Sequence, residues 1–109
     1  MKQNFAVLGA GNGGQAISAY LKLKGKRVTL YDRFPQVLEP IRKRGGIQLE
    51  GVDATGFAQL DLVCEDVAQA VRGAQVIFVV LPAFAHAYVA GQLAGCLEDG
   101  QTVVVCPGA

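Results

Sequence analysis

Long apolar runs are missing from this chain of 109 residues. No stretch approaches the roughly 18 apolar residues that a membrane helix needs. The first strand is expected within a few residues of Met1, which leaves no room for a signal peptide. A soluble, cytoplasmic protein is the expectation. Charge of one sign is also scarce. Lys+Arg number 10 and Asp+Glu number 9, a net charge of +1, so nothing argues for nucleic acid or a membrane surface as partner. Cysteine is sparse and odd in number: Cys64, Cys96 and Cys106 lie far apart, each in or beside an apolar run. That pattern reads as buried thiols in a reducing compartment, not as a disulfide framework or a metal site. Histidine occurs once, as His86. No internal repeat or low-complexity linker divides the chain, whose length suits one domain over residues 1–109.

Glycine, by contrast, is abundant at 14 residues, and hydrophobic residues make up 51%. The glycines matter most at Val7-Leu8-Gly9-Ala10-Gly11-Asn12-Gly13-Gly14, which carries the spacing G-x-G-x-x-G. An apolar run enters this segment and a helical pattern leaves it. In that context each glycine has a mechanical role. Gly9 permits the sharp turn, Gly11 lets a pyrophosphate approach the main chain, and Gly14 lets the helix pack near the strand. The helix N-terminus then turns its free N–H groups and positive dipole end toward phosphate.

Taken in order, Gln3 to Leu8 reads as a buried strand. A helix is expected from about Gly13 to Lys24, with Ile17, Tyr20 and Leu21 on its buried face and Gly25 as its cap. Arg27 to Tyr31 is the second strand. It ends in Asp32, at the separation from the glycines where an acid accepts hydrogen bonds from the adenosine ribose. The competing reading is an Asp that caps the next helix. Arg33 suits stacking on adenine or pairing with a 2′-phosphate. Asp32 would repel that phosphate, which favours NAD(H), with NADP the alternative.

Pro35 to Arg44 reads as a helix with Val37, Leu38 and Ile41 facing inward, bent or interrupted at Pro40 and stopped by Gly45-Gly46. Ile47 to Glu50 and Phe57 to Leu60 alternate as a small antiparallel hairpin. Leu62 to Cys64 is the third parallel strand. Asp66 is expected to cap a short helix, with Gln69 completing a capping box. Val76 to Leu81 is the central fourth strand. Pro82 opens a helix whose stripe is Ala85, Val89, Gln92, Leu93 and Cys96. Thr102 to Val105 is the fifth strand.

Strands alternating with helices predict an α/β fold with right-handed crossovers: a Rossmann-like parallel sheet of order 3-2-1-4-5, with helices on both faces and a small β-hairpin insertion. The order reverses between the first and fourth strands, where ligands bind. Two loops should flank that point, Gly9 to Gly14 and Leu81 to His86.

Gly9-Ala10-Gly11-Asn12-Gly13-Gly14-Gln15-Ala16, Leu30-Tyr31-Asp32-Arg33, Leu81-Pro82-Ala83-Phe84-Ala85-His86 and Pro107-Gly108 together resemble the N-terminal NAD(P)-binding domain of the opine (octopine/nopaline) dehydrogenase family. Ketopantoate reductases and glycerol-3-phosphate dehydrogenases share the general pattern but usually differ around these motifs, and a cofactor domain of that type is an alternative. Where an Asn is expected after the fifth strand, this chain has Cys106.

The resemblance implies reductive condensation of an amino acid with an α-keto acid, using NAD(P)H. It places the catalytic His and the substrate-binding groups in a second, mostly helical domain that this chain lacks. No catalytic residue is expected here. Gly9, Gly11, Asn12, Gly13 and Gly14 would serve the pyrophosphate, and Asp32 and Arg33 the adenosine. Leu81, Pro82 and Ala83 would line the path to nicotinamide. His86 reads as a packing or loop-ordering residue, an acid/base role being the alternative that the helix N-terminus and the lack of a partner carboxylate disfavour, and Cys106 reads as an inert thiol. The other reading is a different class of protein, a non-catalytic dinucleotide-binding or sensing module, able to pair as a homodimer that buries the surface a catalytic domain would cover.

Overall fold

The computed structural model describes residues 3–106. The Pro107-Gly108 segment of the resemblance lies outside them. The first apolar run forms β1 (Asn4–Leu8), which pairs in parallel with β2 (Arg27–Tyr31) on one side and β6 (Val76–Val79) on the other. Both of its edges are therefore occupied, and its two faces are buried: Ala6, Val7 and Leu8 have no exposed surface. A strand in that position must be apolar throughout, as this one is from Phe5.

β5 (Leu62–Cys64) pairs with β2, and β7 (Thr102–Val105) pairs with β6, all in parallel. The sheet order is β5-β2-β1-β6-β7. Counting only the parallel strands, this is the expected 3-2-1-4-5. Helices α1 (Asn12–Leu23) and α2 (Pro35–Arg44) cover one face. Helices α3 (Val67–Val71) and α4 (Ala83–Ala94) cover the other. The insertion is the antiparallel pair β3 (Ile47–Glu50) and β4 (Thr55–Ala58). It is not a free flap: Ile47 and Ala58 are buried in the core layer of α1 and α2.

Several local expectations are corrected. The buried side of α1 is Gly14, Ser18 and Ala19, while Tyr20 is exposed and Ile17 and Leu21 are only half-buried. Small residues face the sheet because the helix begins almost in contact with the turn at Gly9. Helix α2 runs through Pro40 without a break. The second hairpin arm is Thr55–Ala58, because Gly56, at a positive φ of 154°, pairs with Leu49. Asp66 does cap α3, accepting the N–H of Ala68 at 3.1 Å, but among the described residues no bond from Gln69 closes a capping box.

β6 ends at Val79. Val80 still donates its N–H to Leu8, and the chain then leaves the sheet toward Pro82. Gln92 lies outside the buried stripe of α4, which consists of Val89 and Leu93. Among the cysteines only Cys64 is fully buried, and burial pushes its thiol pKa up. Cys96 and Cys106 are half-buried.

Candidate functional site

At the carboxyl ends of β1 and β6 the chain turns in opposite directions, α1 to one face and α4 to the other. The gap between them is a cleft of about 430 Å³. Gly11 and Asn12 line it from the start of α1, and Tyr31, Asp32, Arg33 and Phe34 from the end of β2. Val80, Leu81 and Pro82 line it from the loop after β6, and Phe84, Ala85 and Tyr88 from α4. The two segments expected to flank the switch point thus do meet there.

The turn after β1 is held from three directions. Gly9 donates its N–H to the Tyr31 carbonyl at 2.8 Å. Ala10 donates to Asp32 Oδ2 at 2.9 Å, in a buried bond. The Gln15 side chain donates to the Ala10 carbonyl at 2.9 Å. Two glycines make this geometry accessible. Gly9 has φ +121°, a conformation L side chains rarely adopt, and a Cβ there would overlap the Val80 carbonyl. A Cβ on Gly14 would overlap the Gly9 carbonyl. Gly9 and Gly14 therefore lie beneath the cleft as packing residues, and Gly13 packs beside Val80.

Gly11 differs from both. A Cβ there would meet nothing within 4 Å, because it would project into open space. Gly11 is the N-cap of α1, and no side chain caps that helix. Its first N–H groups have no intrahelical acceptor, and the dipole makes this end attractive to an anion. The helix N-terminus, the space in front of Gly11 and the cleft coincide.

Asp32 is 8% exposed and lines the same cleft. The alternative expectation, that Asp32 caps the next helix, is corrected: the N-cap of α2 is Phe34, with no side-chain cap. Oδ2 accepts from Ala10 and Oδ1 accepts from Phe34 at 3.0 Å, so the carboxylate ties the entry of α2 to the glycine turn. Each oxygen keeps a further lone-pair direction for another donor. Arg33 reaches toward α4, where its guanidinium carbon lies 3.9 Å from the centre of the Tyr88 ring.

The loop after β6 is ordered by His86. Its Nε2 lies 2.8 Å from the Leu81 carbonyl, which can only accept, so Nε2 carries the proton. That is the loop-ordering role expected of this histidine. Leu81 and Pro82 face the cleft, but Ala83 does not line it. Cys106 donates its N–H to the Val79 carbonyl and packs with the core on the α1 face.

The aromatic lining was not anticipated. Phe34 follows Asp32 by two residues, while Phe84 and Tyr88 stand one turn apart on α4. A signal was present, since Ala85 and Val89 belong to the helix's expected inward stripe and Phe84 and Tyr88 directly precede them. Tyr31 is buried, and that burial, followed by the neighbouring Tyr88 and Asp32 charges, pushes its phenol pKa up to about 12.

A second cavity of about 480 Å³ lies between α1 and the hairpin turn, lined mainly by apolar side chains such as Ile17, Tyr20, Leu49 and Phe78. Among the described residues no helix N-terminus opens into it, and the nearby Lys24 ammonium is engaged by the Asp53 carbonyl and the Tyr20 ring, so it lacks the phosphate-binding features of the first.

Known proteins resemble this chain along nearly its whole length. The chain is 43% identical over 107 residues to an opine dehydrogenase of Arthrobacter sp. (strain 1C), an alignment covering 98% of this chain and 30% of that enzyme. It is 36% identical over 106 residues to the glycerol-3-phosphate dehydrogenase [NAD(P)+] of Moorella thermoacetica, covering 95% of this chain and 31% of the enzyme. The chain thus spans about a third of the length of the curated relatives it matches. A structure of octopine dehydrogenase with NADH and L-arginine superposes with a TM-score of 0.81 at 23% identity, over 97% of this chain and 28% of that one. This last likeness shows the shared fold. Residues 4–107 match the family described as the NAD-dependent glycerol-3-phosphate dehydrogenase N-terminus, and the chain belongs to that family.

Proposed function

We propose that residues 1–109 form the dinucleotide-binding domain of an opine-type dehydrogenase, which condenses an amino acid reductively with an α-keto acid. The observation that carries this reading is the single cleft that joins the uncapped N-terminus of α1 at Gly11 and Asn12 to the buried Asp32. The helix end would hold the pyrophosphate, with Gly11 leaving its path clear and Gly9, Gly13 and Gly14 shaping the turn beneath. Asp32 would accept from the adenosine ribose, and Arg33 would flank the adenine. Leu81 and Pro82 would line the way to the nicotinamide, with Ala83 behind them at the start of α4. When bound, NAD(P)H supplies the hydride that reduces the imine formed by the two substrates. Asp32 favours NADH over NADPH, since a 2′-phosphate would face its negative charge.

The substrates would be held by a further domain, in keeping with the share of each relative that this chain matches. The 43% identity to an opine dehydrogenase favours the amino-acid reaction, whereas the family match favours glycerol 3-phosphate as the substrate of a second reading. Oxidation of NADH by the full-length protein decides between them. Turnover that requires both an amino acid and an α-keto acid supports the first reading. Reduction of NAD+ by glycerol 3-phosphate, without that turnover, supports the second.

A further inference from the structure

Arg33 and Tyr88 meet across the mouth of the cleft, one leaving the end of β2 and the other the second turn of α4. The Arg33 guanidinium carbon lies 3.9 Å from the Tyr88 ring centre and 5.5 Å from that of Phe34. At the shorter distance the planar cation rests on the ring, where it is attracted by the electron-rich face. Asp32, the next residue in the chain, directs its oxygens to the N–H groups of Ala10 and Phe34. Among the described residues Arg33 forms no ion pair with it or with any other acid. The positive charge beside Asp32 is thus turned away from it and held on α4.

We infer that Tyr88 is a positioning residue that sets cofactor selectivity through Arg33. This inference rests on the cofactor reading above. With Arg33 stacked on Tyr88, the ribose end of the cleft is governed by the Asp32 carboxylate, which accepts from a 2′-hydroxyl and repels a 2′-phosphate. Without the ring, the guanidinium is free to swing back. There it would offset the Asp32 charge and pair with a 2′-phosphate through two parallel N–H donors. Tyr88 touches neither the ribose nor Asp32 in this scheme. It acts by where it keeps Arg33.

The test is titration of the protein with NADH and with NADPH, in the wild type, Tyr88→Phe, Tyr88→Leu, Arg33→Gln and the double variant Tyr88→Leu/Arg33→Gln. Tyr88→Phe keeps the ring and should keep the ratio of NADH to NADPH affinity. Tyr88→Leu should move that ratio toward NADPH by about fivefold, the scale of a partly desolvated cation–π contact. With Arg33→Gln in place, Tyr88→Leu should leave the ratio unchanged, because no guanidinium remains to be released. A ratio that does not move in Tyr88→Leu overturns the inference, as does one that moves equally with Arg33→Gln present. Either result leaves the cofactor reading standing. A wild type that binds neither dinucleotide overturns that reading and the inference together. If Tyr88→Leu fails to fold, Tyr88→Gln takes its place with the same outcomes.

Discussion

The Asp32 carboxylate accepts the backbone N–H of Ala10 at 2.9 Å, joining the end of β2 to the turn that follows β1. Its other oxygen accepts from Phe34 at the entry of α2. An acid expected to serve a ligand therefore also holds the protein together. Asp32→Ala leaves the Ala10 donor buried without a partner, which costs about 1–3 kcal/mol. Urea unfolding without any dinucleotide should show a loss of that size. Asp32→Asn keeps one acceptor oxygen and should lose less. An Asp32→Ala variant as stable as the wild type would contradict the structural half of this role.

Gly11 and Gly14 stand three residues apart and should respond oppositely to substitution. A Cβ on Gly14 overlaps the Gly9 carbonyl, so Gly14→Ala should destabilise the protein by about 1–3 kcal/mol or more. A Cβ on Gly11 meets open space, so Gly11→Val should cost only about 1 kcal/mol, the loss from placing valine at the N-cap of α1. Its effect should fall on the dinucleotide, whose phosphates the valine side chain would block. Thermal unfolding and NADH titration of both variants separate the two roles. Unchanged NADH affinity in Gly11→Val would place the pyrophosphate elsewhere.

Ser18 has no exposed surface, and among the described residues its hydroxyl has no hydrogen-bond partner. It lies on the buried side of α1, between Gly14 and Ala19 in the segment closest to the sheet. A buried hydroxyl without a partner costs free energy that an alanine would not. Ser18→Ala should raise stability by about 1 kcal/mol, read as an increased urea midpoint. A lowered midpoint would mean that the hydroxyl is bonded in solution.

Two titrations bracket the stability profile. The Tyr31 phenol rises from 10.0 to about 12 in the fold, chiefly through burial. Between those values the unfolded chain has lost the proton and the folded one retains it, so stability falls as pH rises. The contribution is complete below pH 10.0 and is lost toward about 12. Tyr31→Phe should remove this alkaline step, and a variant that retains it would assign the step to another group.

Asp61 behaves in the reverse sense. Burial raises its pKa, but the Val28 N–H and Lys22 outweigh that and leave it below the ordinary 3.8. Its contribution is present above that value and is lost as the pH falls further. Asp61→Asn should flatten the acid limb of the unfolding curve.

Much of the architecture was legible because its signals were local. The apolar runs at Val7-Leu8 and Val76 to Val79 could only be covered strands, and the glycine spacing between β1 and α1 located the switch point. The burial of α1 was harder to read. Ile17, Tyr20 and Leu21 are the larger apolar residues, yet close approach at Gly14 turns the small face inward instead. The cleft's aromatic wall was hidden for a related reason. Phe84 and Tyr88 look like ordinary members of an apolar helix, and only the crossing of α4 past the end of β2 brings Tyr88 onto Arg33. That contact joins residues distant in sequence, and no spacing rule encodes it. The second role of Asp32 was hidden likewise, since its bond to Ala10 spans two strands.

The cleft between Gly11 and Asp32 is the proposed dinucleotide site. Calorimetric titration of the protein with NADH, followed by NADPH, tests it most directly. Saturable binding at one site is expected, tighter for NADH than for NADPH. Absence of binding by both, at millimolar dinucleotide and with the protein folded, would contradict it.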